Sequence, residues 1–209
     1  MPVVSNRLTV LSIALFATSA LGAAADKDVR FIPGPAASYP TKQTNEKVTI
    51  AAVPYTTEEQ TRSAFGKVDP NKHGVLPVLI VMKNDGTQAM RLDNLKVEYI
   101  GPDRSKVEAT PSRDVPYLSS VKQPSIQNTP LPTGSPRVSR KKNPLADPQI
   151  DLRAFSAKML PPGEQASGFF YFQTAPQRRG TIYVTGIREA SSGKELFYFE
   201  IPLSEDGTN

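Results

Sequence analysis

Short apolar runs that end in turn residues are the feature that most restricts the folds open to this chain. Residues 75–82 are apolar on both alternating faces, and the sequence Asn84-Asp85-Gly86 follows closely. A strand with two apolar faces is typical of a sheet covered on both sides. Asp and Gly tolerate the positive backbone angles of a tight turn, so the stretch predicts a strand and a hairpin turn. Returning strands are then expected over residues 89–93 and 95–100.

Four more segments have the composition of strands: residues 48–53, 163–174, 180–189 and 194–203. They are rich in β-branched and aromatic residues and have turn residues between them. The chain also contains 20 Pro and 13 Gly, which favour turns over long helices. About seven short strands separated by turns predict an all-β fold, an antiparallel β-sandwich.

One or two short helices are expected beside the strands. Thr57 and Gln60 have the spacing of a capping box, and Gly66 is placed as a C-terminal stop, so a helix is expected between them. A second helix is predicted over residues 147–159, because Asp followed by Pro suits a helix start and apolar residues continue at helical spacing.

The predicted organisation is one domain over residues 46–203. An extended N-terminal arm over residues 26–45 precedes it, and residues 204–209 form a short tail. Residues 101–163 form a long Pro-rich insertion, since Pro prevents continuous strands or helices across most of this stretch.

The N-terminus has the pattern of a cleaved secretory signal over residues 1–25. Arg7 precedes the apolar stretch 8–21, and Ala23 and Ala25 give the small-residue cleavage pattern. The apolar stretch is shorter than the roughly 20 residues of a membrane-spanning helix. The mature chain is therefore expected to be exported, periplasmic or extracellular, without a transmembrane segment.

The complete absence of Cys limits the chemistry open to an exported chain. It rules out disulfides, thiol nucleophiles, Cys-based zinc sites and iron-sulfur ligation. The fold must therefore be stabilised by burial of apolar side chains.

The strand spacing resembles that of the immunoglobulin-like domains of exported bacterial proteins without assigned function. The resemblance rests on two motifs, "VLPVLIVMKNDG" and "PPGEQASGFFYF", and covers roughly residues 46–100 and 160–203. It implies an immunoglobulin-like antiparallel sandwich and a cell-envelope setting, and it carries over no functional residue. The chain lacks the Cys pair and the Trp of antibody-type domains.

No catalytic residue can be selected from the sequence. His73 is the only histidine, its neighbours are typical of a loop, and no nucleophile-elbow motif occurs. No phosphate-binding glycine motif occurs either. Spacing singles out no pair among the carboxylates considered, which are Glu58, Glu59, Asp69, Asp85 and Asp93. The chain is therefore predicted not to be an enzyme and to hold no cofactor.

A metal site is not expected either. Asp69, Asn71 and Gly74 match three positions of a calcium-binding loop, but the position of its essential carboxylate is Ile80. One His and no Cys leave only carboxylates as further zinc ligands.

Aromatic strands supply the candidate partner-binding residues. Alternation places Phe170 and Phe172 on one face, towards the sandwich interior, and likewise turns Phe197 and Phe199 towards one side. The aromatic residues on the opposite faces form a candidate protein-binding patch of Phe169, Tyr171, Tyr183 and Tyr198. The alternative is that the insertion covers this patch through its apolar residues Ile150, Leu152 and Phe155.

A basic stretch supplies a second candidate surface. Arg137, Arg140, Lys141 and Lys142 are close in sequence, either as a solvated loop or as a contact to an anionic surface. No aromatic residue is interleaved with them, and the export signal argues against nucleic acid as a partner.

These observations predict a non-enzymatic, exported β-sandwich that acts by protein interaction or structural support in the cell envelope. A binder of envelope polysaccharide or anionic surface, using Tyr and the basic stretch, is the first alternative. An unrecognised hydrolase is the second.

Overall fold

Eleven strands and a few short helices form the part of the chain that the computed structural model describes, residues 31–118, 143–175 and 180–203. The predicted signal peptide, the basic stretch 137–142 and the tail 204–209 lie outside these residues. The strands are β1 (Lys42–Asn45), β2 (Val48–Pro54), β3 (Leu76–Asn84), β4 (Met90–Arg91), β5 (Lys96–Ile100), β6 (Lys106–Glu108), β7 (Met159–Leu160), β8 (Gln165–Phe172), β9 (Thr181–Thr185), β10 (Arg188–Glu189) and β11 (Phe199–Pro202). The α-helices are α1 (Glu58–Phe65) and α2 (Pro148–Leu152), and 3₁₀ turns cover Ala36–Ser38, Pro70–His73, Ser112–Tyr117 and Pro144–Ala146.

The strands form two main antiparallel sheets. Sheet I has the order β1-β2-β3-β8, and sheet II has the order β11-β9-β5-β6. A small third sheet has the order β10-β4-β7. The prediction of an all-β sandwich is confirmed by this architecture.

The main core lies between sheets I and II. Strand alternation directs Ile50, Ile80 and Phe172 from sheet I towards Ile182 and Phe199 from sheet II, and all five are fully buried. Phe172 faces this core as the sequence predicts, and Phe170 packs beside it with partial burial.

A second core covers the opposite face of sheet I. Leu79 and Val81 of β3 pack there against side chains from α1, α2 and the 3₁₀ turns, among them Phe65, Val115 and Ile150. Strand β3 is therefore buried on both faces, as its two-sided apolar pattern predicts.

The first helix is confirmed with its predicted caps. Thr57 accepts a hydrogen bond from the backbone N–H of Gln60, whose side chain accepts one from the backbone N–H of Thr57. Gly66 ends the helix with a positive φ of 68°. The buried Ala64 and Phe65 then fix α1 against sheet I.

The prediction of a hairpin at Asn84-Asp85-Gly86 is wrong. Strand β3 pairs with β2 and β8, whereas β4 joins the small third sheet. The side chain of Asn84 is fully buried and accepts from the backbone N–H of Gly86. It also donates to the carbonyls of Gln88 and Leu160. These hydrogen bonds hold the chain after β3 against the third sheet, so it leaves sheet I instead of returning along β3.

The second helix and the arm are shorter than predicted. Helix α2 ends at Leu152, because the chain then runs beside β8: Phe169 N–H donates to Arg153 O, and Phe155 N–H donates to Phe169 O. The end of the predicted arm forms strand β1 rather than an extended linker. The strand expected over residues 180–189 is interrupted at Gly186, which has φ 82° and lies against Asn94.

Candidate functional site

Two of the four candidate partner-binding residues are unavailable to a partner. Phe169 is 2% exposed and Tyr171 is 1% exposed, both in the second core. The prediction that they share a surface with Tyr183 and Tyr198 is wrong, because Phe169 and Tyr171 lie in β8 of sheet I, whereas Tyr183 lies in β9 of sheet II and Tyr198 directly precedes β11.

The chain itself covers Phe169 and Tyr171. The Tyr171 hydroxyl donates to Ile150 O at 2.6 Å, and burial raises the pKa of this hydroxyl. Ile150 therefore provides cover as expected. Leu152 and Phe155 do not, since Leu152 is 72% exposed and Phe155 stacks on Phe170 on the other side of sheet I.

Tyr183 and Tyr198 form an aromatic pair on the outer face of sheet II. Their ring centroids are 5.2 Å apart and the rings are inclined by 31°. Tyr198 is 50% exposed, and its carbonyl accepts a hydrogen bond from the Asn45 side chain at 2.9 Å. The adjacent Phe197 is 74% exposed, not inward as predicted, because β11 begins only at Phe199 and Leu196 enters the core instead.

Strand register aligns four outward side chains across sheet II. Tyr183 pairs with Glu200 on one side and with Glu98 on the other, and Glu98 pairs with Glu108. The order across the sheet is therefore Glu200, Tyr183, Glu98, Glu108, and these four residues are called the acidic row below. Lys106 lies over the Tyr183 ring, with Nζ 5.9 Å from its centroid.

A cleft of about 840 Å³ begins where the acidic row ends. It lies between the β5–β6 edge of sheet II and the segment that follows α2, and Glu98 and Glu108 both line it. The stacked rings of Phe155 and Phe170, 5.3 Å apart, also line it. Cations and anions occur together on its walls, among them Lys96, Arg113, Lys158 and Asp151. Asp151 accepts a hydrogen bond from Ser112 at 2.5 Å.

The loop around His73 has the structure of a turn. Asp69 accepts a hydrogen bond from the backbone N–H of Asn71, and Gly74 closes the turn in the left-handed conformation. Among the described residues, no group of three His, Asp or Glu side chains could hold a metal ion. His73 does not line the cleft.

Sequence reasoning did not select the carboxylates of the acidic row. Glu98, Glu108 and Glu200 lie in short alternating segments and carry no motif. The available signal was the alternation of charged and apolar residues in "KVEYI" and "FEIP", which places Glu on the solvent face. Their alignment depends on the pairing of β11, β9, β5 and β6, which sequence spacing does not specify.

Comparison with known proteins gives only distant structural similarity. No family model and no curated protein matches the chain. A structural-genomics protein designated SoR45 is 13% identical with a TM-score of 0.35, over 79% of this chain and 92% of that chain. A Bordetella pertussis protein described as ApaA is 14% identical with a TM-score of 0.33, over 79% and 91%. A functionally unknown protein from Listeria monocytogenes EGD-e is 13% identical with a TM-score of 0.34, over 78% and 80%.

The helices of the described residues are too short, or too polar, to span a bilayer.

Proposed function

We propose that this protein is an exported, non-enzymatic module that makes protein contacts in the cell envelope through the outer face of sheet II. The carrying observation is the aromatic pair of the partly buried Tyr183 and the exposed Tyr198, extended by the exposed Phe197. Aromatic side chains offer a large contact area at low cost in conformational entropy, and they are enriched at protein interfaces.

The contrast between the two sheets supports this choice of surface. Helices and 3₁₀ turns cover the outer face of sheet I, so its aromatic residues are buried. The outward side chains of β5, β6, β9 and β11 are all at least partly exposed within the described residues. Sheet II therefore presents a face that can receive a partner without rearrangement of the fold.

Truncating the aromatic pair is expected to abolish capture of envelope proteins. The mature chain, immobilised and mixed with an envelope extract, should retain a defined set of proteins, and the double variant Y183A/Y198A should lose roughly 90% or more of that set, since aromatic anchors dominate interface energies. Tyr117→Ala is the matched control, because Tyr117 is 83% exposed and lies outside this face. Capture that is equal in the double variant and the control would contradict the proposal.

Polysaccharide binding is the competing function that the same surface favours. A surface Tyr pair, with Tyr198 exposed and Tyr183 partly buried, lies beside the carboxylates of Glu98 and Glu200 and offers a ring face and hydrogen-bond acceptors to sugar hydroxyls. Retention on purified, protein-free cell-wall polymer, lost in Y183A/Y198A, would replace protein contact with this function. The anionic-surface alternative rests on Arg137, Arg140, Lys141 and Lys142, which lie outside the described residues.

A hydrolase is favoured by one observation, the presence of Glu98 and Glu108 together in the cleft. Glu108 is exposed and Glu98 is only partly buried, whereas paired catalytic carboxylates usually lie in a cleft that excludes water. Release of reducing ends from cell-wall glycans by the wild type, but not by E98Q/E108Q, would establish the hydrolase instead.

A further inference from the structure

The acidic row places like charges directly opposite each other. Glu98 and Glu108 are register partners across the β5–β6 pair, where facing Cβ atoms lie about 5 Å apart and like charges are destabilising. No ion pair among the described residues involves Glu98, Glu108 or Glu200. The fold therefore keeps a like-charge pair on its surface that no ion pair of the described residues offsets, while Lys96 and Lys106 share this face. Such a departure from local consistency is expected at functional surfaces.

An aromatic ring lies within this run of carboxylates. Tyr183 stands between Glu200 and Glu98 in the register, and Tyr198 packs on it. The position of Lys106 over the Tyr183 ring shows that an ammonium group can approach this ring. Carboxylates that alternate with an aromatic face are complementary to ammonium or guanidinium groups, through charge-assisted hydrogen bonds and cation–π contact.

The surrounding charges confine this complementarity to the row itself. Lys96 and Lys106 lie on the same outer face and repel a cation placed away from the carboxylates, and a cation that contacts the Tyr183 ring must displace the Lys106 ammonium from it. The whole chain carries a net charge of +5, so its overall field does not attract a polycation. Binding of a basic ligand would therefore report on local structure rather than on general electrostatic attraction.

We infer that the outer face of sheet II binds a Lys- or Arg-rich extended segment of a partner protein. This segment lies across the strands of sheet II, along the acidic row. This inference rests on the proposed function and names the chemistry of its partner. Four strands spaced about 4.8 Å apart give the row a length of roughly 14 Å, which four or five extended residues span. The cationic side chains of this segment supply the ion-pair partners that Glu98, Glu108 and Glu200 lack among the described residues.

A labelled hexalysine peptide tests the inference by fluorescence anisotropy at low salt. The wild-type protein is expected to bind hexalysine and not hexaglutamate, and affinity should fall as salt is added. The variant E98Q/E108Q/E200Q should lose about tenfold or more in affinity, because the carboxylates make the charged contacts. The control E59Q/D85N/E164Q removes the same charge from exposed side chains outside the row and should stay within about twofold of wild type.

Three results would overturn the inference: no binding by wild type, equal loss in both triple variants, or equal binding of both peptides. Thermal unfolding of E98Q/E108Q/E200Q checks that this variant remains folded. For Glu108→Gln alone, a melting temperature at or above that of wild type is expected because a like-charge pair is removed. Tyrosine-dependent envelope capture without hexalysine binding would leave the proposed function standing and reject this inference. If wild type binds hexalysine but Y183A/Y198A captures envelope proteins as well as wild type does, the proposed function is rejected and cation binding by the acidic row is retained.

Discussion

Gly168→Ala is expected to destabilise the protein by about 3 kcal/mol, because the added methyl group would overlap backbone that cannot yield locally. A Cβ at Gly168 would lie 2.4 Å from Phe155 Cα and 2.6 Å from Phe155 N. The segment at Phe155 would have to separate from β8, which also breaks its hydrogen bonds with Phe169. Chemical denaturation measures the loss, and for a domain of this size the melting temperature should fall by about 10 °C.

Gly34→Ala is the matched control for this substitution. Its Cβ would meet the hydroxyl of Ser38 at 3.2 Å, and that side chain can rotate away, unlike the backbone at Phe155. We expect a change of less than about 1 kcal/mol. A Gly168→Ala protein as stable as the Gly34→Ala protein would show that the segment after α2 does not pack on β8 as described.

Asn84→Leu is expected to cost about 2 to 4 kcal/mol, because it removes three hydrogen bonds at a fully buried position. The side-chain amide of Asn84 accepts a hydrogen bond from Gly86 N–H and donates to Gln88 O and Leu160 O. These three groups belong to two different segments of the chain. Leucine has a similar size but leaves these backbone groups without their partner. Urea denaturation should show the loss as a lower midpoint.

Asn84→Asp separates the role of the amide donor from that of shape. A carboxylate at this position would face the carbonyl oxygens of Gln88 and Leu160, so its charged form is disfavoured and its folded-state pKa is raised. The destabilisation should therefore be smallest below the unfolded carboxyl pKa of about 4, where the protonated carboxyl can still donate to one of the two carbonyls, and it should grow as the pH rises through the folded-state pKa. Asp85→Leu, at the exposed neighbouring position, should change stability little at any pH. Loss that is equal for Asn84→Leu and Asp85→Leu would contradict a bridging role.

Local interactions explain which elements the sequence predicts well. The capping box of α1 joins residues three positions apart, and the two-sided apolar pattern of β3 is contained in one strand. Asn84-Asp85-Gly86 was misleading because turn chemistry specifies a change of direction and not the strand that follows. The side chain of Asn84 donates a hydrogen bond to Leu160 O, 76 positions away, and the spacing of residues in the sequence does not predict that contact.

The candidate site was only half predictable for the same reason. Alternation assigned Phe169 and Tyr171 to the face opposite Phe172, which is correct. It could not indicate that α1 and Ile150 cover that face while Tyr183 lies on another sheet. The acidic row depends on the register of four strands, two of which are distant in sequence from the others. The alignment of Glu98 and Glu200 with Tyr183 is therefore visible only in the tertiary structure.

The double burial of β3 has a consequence for the slowest motions of the molecule. Residues 76–84 are hydrogen-bonded to neighbours on both edges and shielded by a core on each side. Their amide protons can meet solvent only when the whole assembly of sheets comes apart, so deuterium should enter β3 last. Exchange at Leu79 and Ile80 would then measure the free energy of complete opening, while exchange in the short edge strand β6 would report only fraying.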